Sequence, residues 1–316
     1  MPIIIQKFPE GCPSSPIPSP CYAADRTRFR FCFLPPRPRL IPSLTVPLLS
    51  TLSRSLALTL TISLLLFLAD PTSAGAHDFW LSEDQAAIGK PLTLTLGYGH
   101  NFPTGEDIPR ENLDTRFQQI TLIGPGSPYS LLPGQDSKLL VTDKPLQEGL
   151  FIAYGQTTPL FLTQTTEGWS IKAKDEVDQP LKSNLSTKYA KAVLNVGQAS
   201  NENQSESLLT RPVGHKLEII PLTNPSKIRP GGQLPVKLLF KGTIPLADTE
   251  LSLLAVGEET TKVTAKTDSQ GQALIPIPAR PGLFRLMAEH SIPYEGDLTK
   301  ADSELNIVTL TFRISE

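Results

Sequence analysis

From Pro91 to Leu96 the chain reads Pro-Leu-Thr-Leu-Thr-Leu, with leucines and threonines on alternating sides. Period-two alternation fits a strand with one buried and one wet face, and a helix cannot use it. Similar short runs recur at Gln119 to Ile123, Ser137 to Val141, Leu150 to Tyr154, Lys216 to Ile220, Leu234 to Phe240 and Val308 to Ile314. Gly124-Pro125-Gly126, Pro133-Gly134 and Pro230-Gly231-Gly232 punctuate the gaps. Short strands between such breakers predict an all-β protein built of β-sandwiches. Thr187 to Val196 reads equally as a short helix or a strand.

The alternating pattern begins only after residue 76. Ahead of it stand Arg54, the apolar run Leu56 to Ala69, and Ser73-Ala74-Gly75-Ala76. Basic, apolar and small residues in that order make a signal peptide over 48–76, cut after Ala76. The apolar run is shorter than the ~20 residues a membrane span needs. Residues 1–47 are rich in proline and arginine and read as disordered, or as an upstream start that is not used. They hold all three cysteines, Cys12, Cys21 and Cys32. The product from His77 onward therefore has neither disulfides nor thiolate sites. Seven of the 29 basic and three of the 31 acidic residues precede His77, which leaves a formal charge of −6 on the remainder. That balance gives no electrostatic footprint for nucleic acid. The expected location is periplasmic or secreted.

Gln198 to Glu206 is polar and reads as a linker or exposed loop, which sets two β-sandwich domains at 77–200 and 211–316. In the second, Thr267-Asp268-Ser269-Gln270-Gly271 is a hairpin turn in which Gly271 supplies a positive φ. Pro281-Gly282 then leads into another strand. This succession resembles the transthyretin-like and carboxypeptidase-regulatory-like (Ig-like) sandwiches, a likeness of fold and not of function.

The four histidines are His77, His100, His215 and His290. Cleavage after Ala76 would give His77 a free α-amine beside its imidazole. His100 follows the Leu92 to Leu96 strand in Gly97-Tyr98-Gly99-His100, where the glycines permit close backbone approach. His290 follows the Phe284 to Ala288 strand. Imidazole ligates Zn, Cu, Ni and Fe, and a site needs two or three ligands together. His77, His100 and His290 are the candidate metal ligands, for a divalent Ni, Co or Cu ion. His215 is expected to be a surface or capping residue. Glu106, Asp107, Glu111 and Asp114 cluster around Arg110 and Arg116 and read as a solvated loop with local ion pairs. Phe79, Trp80 and Trp169 read as buried anchors. The chain has no G-x-S-x-G elbow, P-loop, H-E-x-x-H or dinucleotide fingerprint, so no catalytic site is visible.

Ala76-His77-Asp78-Phe79-Trp80-Leu81 followed by Gly99-His100-Asn101-Phe102 resembles an exported bacterial domain family of unknown function. Its members are often labelled NikM-like, after a periplasmic component of nickel or cobalt uptake. The likeness continues through Glu167-Gly168-Trp169, Lys188-Tyr189-Ala190-Lys191-Ala192 and Leu217-Glu218-Ile219-Ile220. The resemblance implies an exported, two-part β protein with a transition-metal role, partnered by a membrane uptake system. A copper-dependent oxidative enzyme with an N-terminal histidine brace and a metal-free adhesion or assembly sandwich are the alternatives.

Overall fold

The computed structural model describes residues 77–83, 86–197, 202–257 and 262–316, all within one compact unit. Residues 1–76, read above as an extension and a signal peptide, lie outside the described residues. The first strands are β1 (Asp78–Glu83), β2 (Thr93–Gly99), β3 (Thr121–Ile123), β4 (Leu131–Pro133) and β5 (Leu139–Thr142). Then come β6 (Gly149–Gln156), β7 (Leu160–Thr165), β8 (Gly168–Ser170) and β9 (Lys182–Val196). The chain continues through β10 (Leu217–Pro221), β11 (Gln233–Phe240), β12 (Ile244–Pro245) and β13 (Glu250–Ala255). It closes with β14 (Val263–Lys266), β15 (Gln272–Pro276), β16 (Gly282–Pro293) and β17 (Ser303–Ile314). Among the described residues two short α-helices, α1 (Leu113–Arg116) and α2 (Glu202–Thr210), interrupt them. The all-β expectation holds, and every alternating run named above lies in or across a strand.

Three sheets form. One has the order β1-β2-β5-β4, and a second joins β10, β11, β12 and β15. The nine-stranded third runs β14-β13-β16-β17-β9-β6-β3, with β7 also on β9 and β8 on β7. Thr187 to Val196 is thus strand, not helix. Along β6 and β9 both faces are buried. Leu150, Ile152, Tyr189 and Val193 enter one core with Leu217, Leu234, Val236 and Phe284. Phe151, Ala153, Ala190, Ala192 and Leu194 enter another with Phe79, Leu81, Leu94 and Leu96. The result is two sandwiches with a common middle sheet. β9 pairs in parallel with β17 from Asn184↔Ser303 to Val193↔Phe312, which ties the two sequence segments by a continuous ladder.

The polar stretch between the segments is not all loop, since Glu202–Thr210 is helical. Leu209 at its end is 2% exposed and joins the larger core, which holds the helix against β6 and β10. The Asp268 turn forms as its sequence predicts. Asp268 Oδ1 accepts from Gln270 N (2.8 Å) and Gln272 N (2.9 Å), and Gly271 has φ +70°.

Every residue of β1 is buried. Phe79 and Leu81 face the core beneath, while Trp80 packs with Phe102 and Leu254 on the other side. Asp78, on the Trp80 side, meets Arg285 Nη2 at 2.8 Å. The guanidinium carbon lies 5.0 Å from the Trp80 ring centroid and 5.3 Å from that of Phe102. Thr309 Oγ1 on β17 donates to Phe79 O at 2.6 Å. Removing one partner of such a buried pair strands the other charge, at about 3–5 kcal/mol. Asp78→Ala is therefore expected to lower stability by about 3 kcal/mol, and adding Arg285→Met to recover most of it. Urea denaturation of the three proteins measures this; equal losses in the single and double variants would place the cost elsewhere.

Candidate metal centre

The ladder between β1 and β2 runs Asp78↔Gly99, Phe79↔Tyr98 and Trp80↔Gly97. One step further along this register stand His77 and His100. Their rings are 4.6 Å apart at 64°, and His77 also meets the Tyr98 ring edge-on at 5.2 Å. The two glycines make this close packing possible. A Cβ at Gly97 would sit 2.0 Å from the Trp80 indole, and one at Gly99 would sit 2.6 Å from Glu106 Cγ.

After His100 the chain doubles back. Gly105 N donates to Asn101 O (2.7 Å) and Glu106 N to Tyr98 O (2.6 Å). Trp80 Nε1 donates to Pro103 O at 3.3 Å, pinning the turn to the core. Glu106 thereby returns to the histidines, its Oε1 3.3 Å from His77 Nε2. One ligand atom each from His77, His100 and Glu106 lies within 4.8 Å of the other two. Partial burial lowers the His77 pKa; Glu106 opposes the shift, while His100, Lys188 and Arg116 add to it. The neutral imidazole is the form that ligates a metal.

The structure places three residues differently from the sequence reading. His290 does not join this cluster. Glu289 and His290 are consecutive on β16 and point to opposite faces, so Glu289 lines the cavity at the histidines while His290 packs against Phe240 (4.8 Å). Glu106 was missed because its neighbours made it look like part of a solvated acidic loop. That loop's pairs are different: Asp107 binds Lys138 at 2.9 Å, and Arg110 Nη2 donates to Gly134 O at 3.0 Å. The signal available for Glu106 was Gly105, whose φ of +65° closes the turn. His215 is a core residue, not a surface one, lying 5.2 Å from the Tyr189 ring and 5.8 Å from that of Tyr154. Burial, with Lys191 nearby, pushes its pKa down to about 3.

The histidine pair stands at the wall of a cavity of about 560 Å³. Its floor is the β9 stripe Lys182, Asn184, Ser186 and Lys188, and Leu160, Leu162, Trp169 and Ile171 line its sides. Phe79 and Trp80 are buried anchors, as expected, but Trp169 is 45% exposed at this cavity.

The chain belongs to the family described as Domain of unknown function (DUF4198), whose pattern matches residues 74–292. That description carries no link to nickel or cobalt uptake. No curated protein matches the chain. Among solved structures, the D0-D1 domain of intimin is 13% identical, covering 74% of this chain and 97% of that one, with a TM-score of 0.20. The Escherichia coli adhesin FdeC is 14% identical over 77% of this chain and 66% of its own, with a TM-score of 0.19. The Yersinia pseudotuberculosis adhesin InvE is 10% identical over 74% of this chain and 58% of its own, with a TM-score of 0.17. Scores this low carry no statement about architecture or ligand.

Gly99 (φ +120°) has backbone that L side chains rarely adopt, and it abuts Glu106. Gly99→Ala is expected to destabilise by about 1–3 kcal/mol. In a Glu106→Ala background the same substitution should cost measurably less, because only the backbone strain remains. Thermal unfolding of the four proteins reads this coupling, and strict additivity would show that the Gly99–Glu106 contact does not constrain the site.

Proposed function

We propose that this is an exported protein that holds a divalent late transition metal, nickel, cobalt or copper, on His77, His100 and Glu106 and serves metal uptake or handling. The observation that carries the reading is the convergence of two imidazoles and one carboxylate within 4.8 Å. Nitrogen and oxygen donors of this kind suit Ni²⁺, Co²⁺ and Cu²⁺, with Cu²⁺ bound most tightly on the Irving–Williams order. Copper preference in vitro would therefore leave the physiological metal open. The leader over 48–76 supports export, and cleavage after Ala76 would add the His77 α-amine to the donor set. A membrane uptake component is the partner this role requires.

Calorimetry with Cu²⁺ and Ni²⁺ on the purified protein, with its N-terminus fixed by mass spectrometry, tests the reading. His100→Ala and Glu106→Gln should each weaken binding by at least about tenfold, as loss of a ligand exceeds loss of an outer-shell contact. His290→Ala should match the parent. Affinity should fall below about pH 6, where protons compete for the imidazoles. Reductant-dependent oxidase activity of the copper form would favour the brace enzyme. Equal, weak binding in all four proteins would replace the metal reading with the adhesion or assembly sandwich.

A further inference from the structure

Lys188 is 4% exposed and lines the cavity. Its Nζ donates to Ser186 Oγ at 3.3 Å, and among the described residues no carboxylate stands within ion-pair distance of it. The other buried lysine of β9 shows the contrast. Lys191 is paired with Glu218 and also donates to Ile219 O at 3.3 Å. A buried ammonium without a counter-ion is unfavourable by several kcal/mol, and a bound anion would remove most of that penalty.

Three further observations describe the anion. Arg116 and Lys182 line the same cavity, where Glu289 is the one carboxylate among the lining residues. Asp78 and Glu289 both act on Lys188 from beyond ion-pair distance, and Asp78 is already committed to Arg285. Asn184, 3% exposed and two strand positions from Ser186, lines the same cavity and has a buried Oδ1 with no hydrogen-bond partner. The volume of about 560 Å³ lies within the range of small-molecule sites, and Leu160, Leu162 and Trp169 supply apolar contact for a carbon skeleton.

We propose that the cavity binds a hydroxycarboxylate, with a carboxylate on Lys188 and Arg116 and a hydroxyl donating to Asn184 Oδ1. Bare inorganic anions satisfy the first requirement but leave the apolar walls uncovered. None of the three binding groups is a candidate metal ligand, so the proposal stands whether or not His77, His100 and Glu106 hold a metal.

Calorimetry on EDTA-stripped protein with citrate, tricarballylate and inorganic phosphate tests it. Tricarballylate keeps the three carboxylates of citrate and lacks the hydroxyl. Citrate should bind, and Lys188→Met and Arg116→Gln should each weaken it by at least about tenfold, the value of one charged hydrogen bond. Lys188→Met should melt no lower than the parent, because it removes an unpaired buried charge. Citrate should bind the parent more tightly than tricarballylate does, and Asn184→Ala should abolish that difference. Citrate binding should survive His100→Ala, which separates failure of this proposal from failure of the metal reading. Absence of citrate binding, indifference to both cation substitutions, or phosphate binding as tightly as citrate would overturn it.

Discussion

Strand β9 is buried on both faces, and much of the surrounding structure follows from that burial. A strand between two cores must be apolar on both sides or have each polar group answered. On one face, Lys191 sits between Tyr189 and Val193, and Glu218 answers it from β10. Glu218 also accepts from Val213 N (2.8 Å) and Gly214 N (3.2 Å), so the same carboxylate fixes the backbone that leads into the second segment. The junction between the two sequence segments is therefore a buried electrostatic contact as well as a covalent connection. His215, held neutral beside Lys191, adds no further charge there.

The tetrapeptide His77-Asp78-Phe79-Trp80 divides its work by strand alternation. Phe79 closes one core, Trp80 anchors the turn through Pro103, Asp78 neutralises Arg285, and His77 is left at the end of the ladder opposite His100. Three buried side chains thus hold the position of one half-exposed imidazole. Preorganisation of this sort favours ligand binding, because rotamer entropy has already been lost in folding. It also explains why Gly97 and Gly99 flank Tyr98: the backbone must pass closer to Trp80 and Glu106 than any Cβ allows.

What was legible in the sequence was local. Leu92 to Leu96, Leu234 to Phe240 and Val308 to Ile314 declare strands by period alone, and Asp268 with Gly271 declares a turn by chemistry. Histidines are few, and His77 stood out because it follows the expected cleavage site, His100 because it follows the Leu92 to Leu96 strand. The long-range pairings were not legible. Nothing in Lys182 to Val196 announces a parallel partner in Ser303 to Ile314, more than a hundred residues away, and lysines at 188 and 191 blurred its alternation. The helix at Glu202–Thr210 was hidden by polar residues, since its apolar residues Leu208 and Leu209 fall in the last turn, where Leu209 is buried. Glu106 reached the site through a reversal that depends on Gly105, and His290 left it because adjacent strand residues face opposite ways.

The cavity has a cause in the same alternation. On the even-numbered face of β9, Ala190, Ala192, Leu194 and Val196 are apolar, while Lys182, Asn184, Ser186 and Lys188 are polar. The change falls where β6 leaves the edge of β9, at Tyr189, and β7 takes over, at Ser186. The apolar half belongs to the core that includes Phe79 and Leu81 of β1, whereas the polar half forms the cavity floor under the β7–β8 hairpin. Had the polar half been meant only to fill a core, alanines or leucines would have served at lower desolvation cost. Keeping a buried lysine, an asparagine and a serine in register there sacrifices stability for a surface that can recognise something polar. The end of β1 brings His77 to the wall of that same space, so the register that closes one core also places imidazoles and ammonium groups around a single cavity.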